Sequence, residues 1–168
     1  RDSCGIGGFP AAQPELRRRA EAKFPHARNL FFLREPLEMA TARPLALHRA
    51  KRFRHCRHCL DLCAGLGGDT VAIAHGAQTV TAVESDDATA ACLAANLATL
   101  GLDVEVVVAD AADYIGSCDR FEAVMFDPAR RTAGRRTREP LRTRPPFDLW
   151  RDIMQVSNRL AVKLSPAA

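Results

Sequence analysis

Five carboxylates set around one glycine-rich turn are the residues in this sequence best placed to do chemistry. The stretch LDLCAGLGGDT, residues 60–70, enters the turn as an apolar run and bends at Gly65, Gly67 and Gly68. It leaves with Val71, Ile73 and Ala74 at helix-like spacing. A strand, a tight turn and a helix start in this order form the local unit that holds nucleotide-like ligands in α/β folds. Asp61 stands before the turn and Asp69 inside it, while Glu84, Asp110 and Asp127 close later apolar runs.

The elements that must position these acids alternate. Strands are predicted at 58–64, 79–84, 103–109, 122–127 and 160–165, and helices at 68–75, 86–100 and about 147–158. The helix after Glu84 is the best signalled. Ser85 is its expected cap, Asp86 and Asp87 suit its first turn, Leu93, Leu97 and Leu100 share a face, and Gly101 ends it. Nearly continuous apolar strands separated by helices imply a doubly wound, mostly parallel, Rossmann-like α/β sheet covered on both faces. Ahead of it, PELRRRAEAKF predicts a helix from Pro14, with Leu16, Ala20 and Phe24 at helical spacing. A second helix is expected with Thr41 as cap, Pro44 in its first turn, and Leu45, Leu47, Ala50 and Phe53 as its apolar side. The expected organisation is an irregular stretch at 1–13, a basic helical segment at 14–55 and the ligand-binding domain at 56–168. The final strands of the fold are expected to be missing, because the chain stops directly after LAVKLS.

In such a sheet the ligand lies beyond the carboxyl ends of the strands, where strand order reverses. Glu84 lies 23 residues beyond Asp61, where a carboxylate can accept from both ribose hydroxyls. Asp110 is placed to meet an adenine edge. A dinucleotide fold wants G-x-G-x-x-G with no acid beside its pyrophosphate, whereas Asp61 and Asp69 would repel phosphates and welcome a sulfonium. S-adenosylmethionine is a ligand of that kind.

On these residues the chain resembles the class I S-adenosylmethionine-dependent methyltransferases. DLCAGLGG looks like their first motif, VESDD their second, VVADAAD their third and MFDPARR their fourth. LEMATARPLALHRAKRF, DLCAGLGGDT and DPARRTAGRR are similar to a bacterial group with a THUMP-like C-terminal domain, distantly related to the cap guanine-N2 methyltransferases. The resemblance implies that Gly65, Gly67 and Gly68 meet the cofactor backbone, with Cys63, Asp69, Ser85 and Ala111 beside them. It implies that Asp61 orients the amino end, Glu84 holds the ribose and Asp110 the adenine. Cys63 stands where many members have glycine, which is tolerated where the backbone is extended. Asp127 and Pro128 are the candidate catalytic pair, but Ala129 and Arg130 follow where amino-methylating relatives carry proline and an aromatic ring.

Between Arg130 and Arg144 seven arginines face one acid, Glu139, so Arg130, Arg131, Arg135 and Arg136 are candidates to hold a phosphorylated substrate. An ordinary solvated loop accounts for them equally well. Phe147 and Trp150 either replace the stacking ring or pack in the core. His55-Cys-Arg-His-Cys59 has zinc-like spacing without a second ligand pair, so no metal is expected and its cysteines are read as core. The six cysteines suit reduced thiols, and the composition suits a cytoplasmic protein with no membrane partner. The expected activity is methyl transfer from S-adenosylmethionine to RNA. The alternatives are a non-catalytic module binding the same cofactor, or a methyltransferase of small molecules or proteins.

Overall fold

The computed structural model describes residues 12–129 and 143–164, with the backbone alone at 131–132 and 135–136. Its centre is a five-stranded parallel sheet in the order β3-β2-β1-β4-β7. The strands are β1 (His58–Leu62), β2 (Thr79–Glu84), β3 (Glu105–Val108), β4 (Ala123–Phe126) and β7 (Leu160–Val162), while β5 (Arg131–Thr132) and β6 (Arg135–Arg136) form a separate antiparallel pair. Order reverses between β1 and β4, so the ligand-binding crevice of the doubly wound class opens above those two strands. The described residues contain no helix long and apolar enough to cross a membrane.

Helices cover both faces, and this is why the central strands read as unbroken apolar runs. On one face Cys59, Val80, Ala123 and Met125 pack against α3 (Arg43–Ala50) and α4 (Gly68–Ala74). On the other, Leu60, Leu62, Val83, Val124 and Phe126 meet α6 (Ala111–Ser117) and α7 (Trp150–Val156). The two edge strands are less covered: β7 is partly buried throughout, and β3 leaves Val108 52% exposed.

The segment before the sheet packs on it through α1 (Gln13–Ala20) and α2 (Arg34–Met39). Leu16, Phe24, Leu30, Phe32 and Leu37 form one cluster with Leu66 of the glycine turn and Cys92 of α5 (Asp87–Thr99). Two buried amides fix its path. Gln13 donates to the Phe32 carbonyl at 2.8 Å and accepts from the Phe32 amide, and Asn96 does the same with Phe31 at 2.9 and 2.7 Å. A backbone strand with no neighbour in a sheet thereby satisfies its polar groups.

Several expected details differ. Helix α3 buries Ala46 and Ala50, not Leu45 and Leu47, which are 60% and 45% exposed. Ala50 and Phe53 of the expected side are buried, but small residues face α4 because the two helices approach closely, so helical spacing alone misplaced Leu45 and Leu47. Thr41 does not cap α3, whose N-cap Ala42 makes no side-chain bond. Ser85 is not the cap of α5 either; Asp86 is, accepting from the Thr89 amide at 2.8 Å. Helices α2 and α6 escaped the sequence pattern because each spans two turns or fewer, too short for a period to show. Strand β2 has its expected bounds, the other four expected strands end sooner, β7 at Val162, and the expected helix at 147–158 is a 3-10 turn, Phe147–Leu149, followed by α7.

Gly67, the N-cap of α4, has φ of 87°, and a Cβ there would lie 2.5 Å from Leu93 Cδ1. Gly67→Ala must both strain the backbone and displace the buried Leu93 side chain, so it should destabilise the chain by about 2 to 4 kcal/mol in denaturant unfolding. A loss under about 0.5 kcal/mol, the level of a neutral surface change, would mean that the turn and α5 are not packed in this way.

Candidate active site at the strand ends

The parallel ladder delivers the acids to one place. Leu62 is in register with Val83 and with Phe126, Glu84 with Val108, and Phe126 with Val162. One residue further, the Asp127 amide donates to the Leu62 carbonyl, the Lys163 amide to Phe126 and the Ala109 amide to Glu84. Cys63, Glu84, Ala109, Asp127 and Lys163 therefore stand side by side at the carboxyl edge. Above them opens a cleft of about 860 Å³, within the range that takes small organic ligands and cofactors.

One side of the cleft is built from the glycine turn and the ends of β2 and β3. Cys63, Gly65, Glu84, Ser85, Asp110 and Ala111 line it. The Gly65 amide donates to one oxygen of Glu84 at 2.8 Å and the Asp86 amide to the other at 3.0 Å, which fixes the carboxylate at the end of its strand. Gly65 has φ of 57°, and a Cβ there would meet no atom within 4 Å, so the turn faces open space at this point. Gly67 is not among the lining residues and faces Leu93 instead. Gly68 lines the cleft and touches the N-terminal segment, where a Cβ would sit 3.2 Å from the Thr41 carbonyl. Asp110 caps α6 by accepting from the Ala112 amide at 2.8 Å, and its exposed side chain stays on the rim.

Cys63 corrects an expectation. Its φ is 66°, so the backbone is left-handed and a side chain is carried where glycine is at ease. Burial, with Glu84 and Asp127 nearby, pushes its thiol well above the usual range, which removes it as a thiolate nucleophile. The other cysteine cluster is core. Cys56 and Cys59 are fully buried, burial beside Cys56 raises the Cys59 thiol to about 12, and Cys56 Sγ accepts from Arg159 at 3.1 Å. Among the described residues no three metal-ligating side chains converge.

The other side is built by chain segments far apart in sequence. Pro36, Met39 and Thr41 come from the N-terminal segment, Asp127, Pro128 and Ala129 follow β4, Pro145 and Pro146 precede α7, and Lys163 follows β7. A backbone pair between Ala129 and Arg144 closes the intervening loop, at 2.8 and 2.9 Å. Arg130 lies outside the described residues, as do the side chains of Arg131, Arg135 and Arg136. Phe147 packs against the core and Trp150 lies on the surface beneath Arg151.

A charged network runs through this wall. Arg49 grips both oxygens of Asp69 at 2.7 Å and donates to Thr41 Oγ1 at 2.8 Å. Lys163 donates to the same hydroxyl at 3.2 Å and pairs with Asp127. Asp69 is thus matched by its own cation and is no free charge for a ligand. Arg49, Thr41, Thr70 and Lys163 were not among the residues expected at the site. Their signals were a Thr nine residues after a strand acid, a basic helix and a lone lysine in an apolar strand.

Asp61 is 1% exposed, in the middle of the sheet, and accepts from Thr70 Oγ1 at 2.5 Å. Burial first, then repulsion from Asp69, raises its carboxyl to about 7, against the pull of the Thr70 hydrogen bond.

A sheet of this order with its acids at the reversal of strand order defines the chain's class: it has the Rossmann-like fold of methyltransferases. A putative methyltransferase of Porphyromonas gingivalis superposes on 94% of this chain and 41% of its own, with a TM-score of 0.79 and 25% identity. The N-terminal domain of EvdMO1, solved with SAH bound, superposes on 89% of the chain with a TM-score of 0.59 at 21% identity, a likeness of fold. The chain belongs to the family described as conserved hypothetical protein 95, whose model matches residues 46–136. Two Mycobacterium tuberculosis proteins, each described as an uncharacterized S-adenosylmethionine-dependent methyltransferase, are 33% identical over 127 residues, covering 72% of this chain. The chain spans only 34% of their length.

The buried Asp61 makes stability depend on pH. The unfolded chain loses this proton near 3.8 and the folded chain keeps it up to about 7, so stability falls as pH rises through that window and the penalty is complete above it. Asp61→Asn keeps an acceptor for Thr70 and cannot ionise. Its stability relative to the unsubstituted chain should climb with pH across the window, by at most about 1.4 kcal/mol per pH unit. A difference that stays flat with pH would show that Asp61 is ionised throughout.

Proposed function

We propose that this chain is the catalytic domain of an S-adenosylmethionine-dependent methyltransferase acting on RNA. The observation that carries the reading is the charge of the cleft. Asp61, Glu84, Asp110 and Asp127 line it, and the lysine at its floor is matched to Asp127, which suits a cationic, phosphate-free cofactor and disfavours a pyrophosphate. The residues fit that cofactor. Glu84, held by two amides, would accept from the ribose hydroxyls, the open backbone at Gly65 would lie along the chain of the amino acid, and Asp110 would reach the adenine from the rim. Asp61 sits deeper, where a positive ammonium would draw it into its ionised form. The bound cofactor supplies the electrophilic methyl group. The mycobacterial relatives are described by the same cofactor and activity, and SAH is present in the EvdMO1 domain.

Chemistry falls to the opposite wall. Asp127 is the acceptor for the proton that leaves the methylated atom, and Pro128 stiffens the turn that aims it. Most of the rate comes from holding the acceptor in line, an effect worth about 7 to 11 kcal/mol at best. RNA is favoured by the seven arginines of 130–144, whose forks match phosphate. The fold is also shared with an rRNA methylase of Streptococcus thermophilus, at a TM-score of 0.52.

Calorimetric titration tests both halves. S-adenosylmethionine should bind where reduced nicotinamide dinucleotide does not, and Glu84→Ala should weaken that binding at least about tenfold, the loss of one or two charged hydrogen bonds. RNA should bind with an affinity that falls steeply with salt. Nicotinamide binding would sink the cofactor assignment; salt-insensitive RNA binding would sink the arginine loop as a phosphate site.

A further inference from the structure

Lys163 lies 36 residues beyond Asp127 in sequence and beside it in the sheet, because Phe126 and Val162 are paired and the Lys163 amide continues the ladder. Its ammonium touches two groups. One is the Asp127 carboxylate and the other is Thr41 Oγ1, and the Lys163 and Asp127 side chains are only 17% and 21% exposed. Thr41 also accepts from Arg49 Nη2, so both lone pairs of its hydroxyl are taken by cations. The position of Thr41 is itself fixed, since its backbone rests against Gly68.

From this juxtaposition we infer that Lys163 is a positioning residue of the transfer site, which aims Asp127 into the cleft, favours its ionised form against burial, and makes the docked N-terminal segment a condition of that arrangement. The inference rests on Asp127 being the proton acceptor of the proposed methyl transfer. As the acceptor nitrogen or oxygen bonds to the methyl carbon, the carbon–sulfur bond breaks, its electron pair remains on a neutral thioether and the acceptor's proton passes to Asp127. A carboxylate already protonated cannot take it.

The surroundings leave Lys163 as the decisive cation. Asp127 is faced by Lys163 from the end of β7, Asp69 from α4, Arg49 from α3, and Asp61 and Cys63 from β1 and its turn. Arg49 is committed to Asp69, and Asp61 and Cys63 bring no positive charge. Burial is the largest influence and carries the Asp127 carboxyl above the usual carboxylate range, and Lys163 is the largest influence against that rise. Lys23, from the N-terminal segment, is near enough to be repelled by Lys163 and donates to the carbonyls of Leu37 and Glu38. Removing Lys163 therefore leaves a half-buried acid with no described cation of its own.

The test follows the carboxyl carbon of Asp127 by ¹³C NMR through a pH titration, which needs no substrate. Lys163→Met should raise its midpoint by about 1 to 3 pH units. Lys163→Arg should restore most of it, and Thr41→Val should give a smaller rise. Should Lys163→Met not fold, Lys163→Gln, which retains hydrogen bonds without charge, must show the same rise. An unchanged midpoint in the folded variant, or an equal rise in Lys163→Arg, overturns the inference. Titration of S-adenosylmethionine into Lys163→Met keeps the two ideas apart. Affinity within about threefold of the unsubstituted chain is expected, because Lys163 lies across the cleft from Glu84. If the unsubstituted chain does not bind S-adenosylmethionine, the proposed function fails while the Asp127 midpoint still decides the role of Lys163.

Discussion

The guanidinium of Arg49 is the anchor of the whole site. It satisfies both oxygens of Asp69, whose side chain is 7% exposed, and reaches Thr41 with the same nitrogen. A carboxylate so enclosed has no other described cation, and breaking such a pair by losing one partner typically costs about 3 to 5 kcal/mol. Helix α3 must therefore lie against α4, and small residues at Ala46 and Ala50 allow it to do so. Once α3 is seated, Thr41 is brought over Gly68 and its hydroxyl meets Lys163. The N-terminal segment thus becomes a wall of the cleft rather than a neighbour of it.

The sheet bears an opposing cost. Asp61 is the penultimate residue of the central strand, where burial penalises its ionised form and the Thr70 hydroxyl, with a weaker pull from Arg49, only partly answers it. Cys63 holds a left-handed backbone that favours glycine. Both departures from what stabilises a parallel sheet lie on β1 and its turn, at the switch in strand order. Strain and a costly buried acid concentrated at one strand end are what a binding site looks like when stability is given up for it.

Much of this was legible in the sequence. Strands β1, β2 and β4 and helix α5 announce themselves because central parallel strands are apolar throughout and because Leu93 and Leu97 keep a helical period. The strand-end acids were legible for the same reason: a carboxylate that closes an apolar run marks the point where a buried strand emerges into solvent or onto a ligand. What could not be read was tertiary. The packed face of α3 depends on how near α4 comes, so the exposed Leu45 and Leu47 looked like its core side. Lys163 and Arg49 were hidden because their partners are 36 and 20 residues away, and no local pattern links a cation to an acid at that distance. The handedness of the backbone at Cys63 depends on the turn beneath it, which a single residue type does not reveal.

A crystal structure of this chain grown with S-adenosylhomocysteine would show whether the strand-end acids and the Asp127 wall face one ligand from opposite sides. The ribose hydroxyls should lie on Glu84, the thioether over the Gly65 turn, and the vacant methyl position should be directed at the wall formed by Asp127, Pro128 and Thr41. A ligand seated away from Glu84, or one whose sulfur turns from Asp127, would contradict this arrangement.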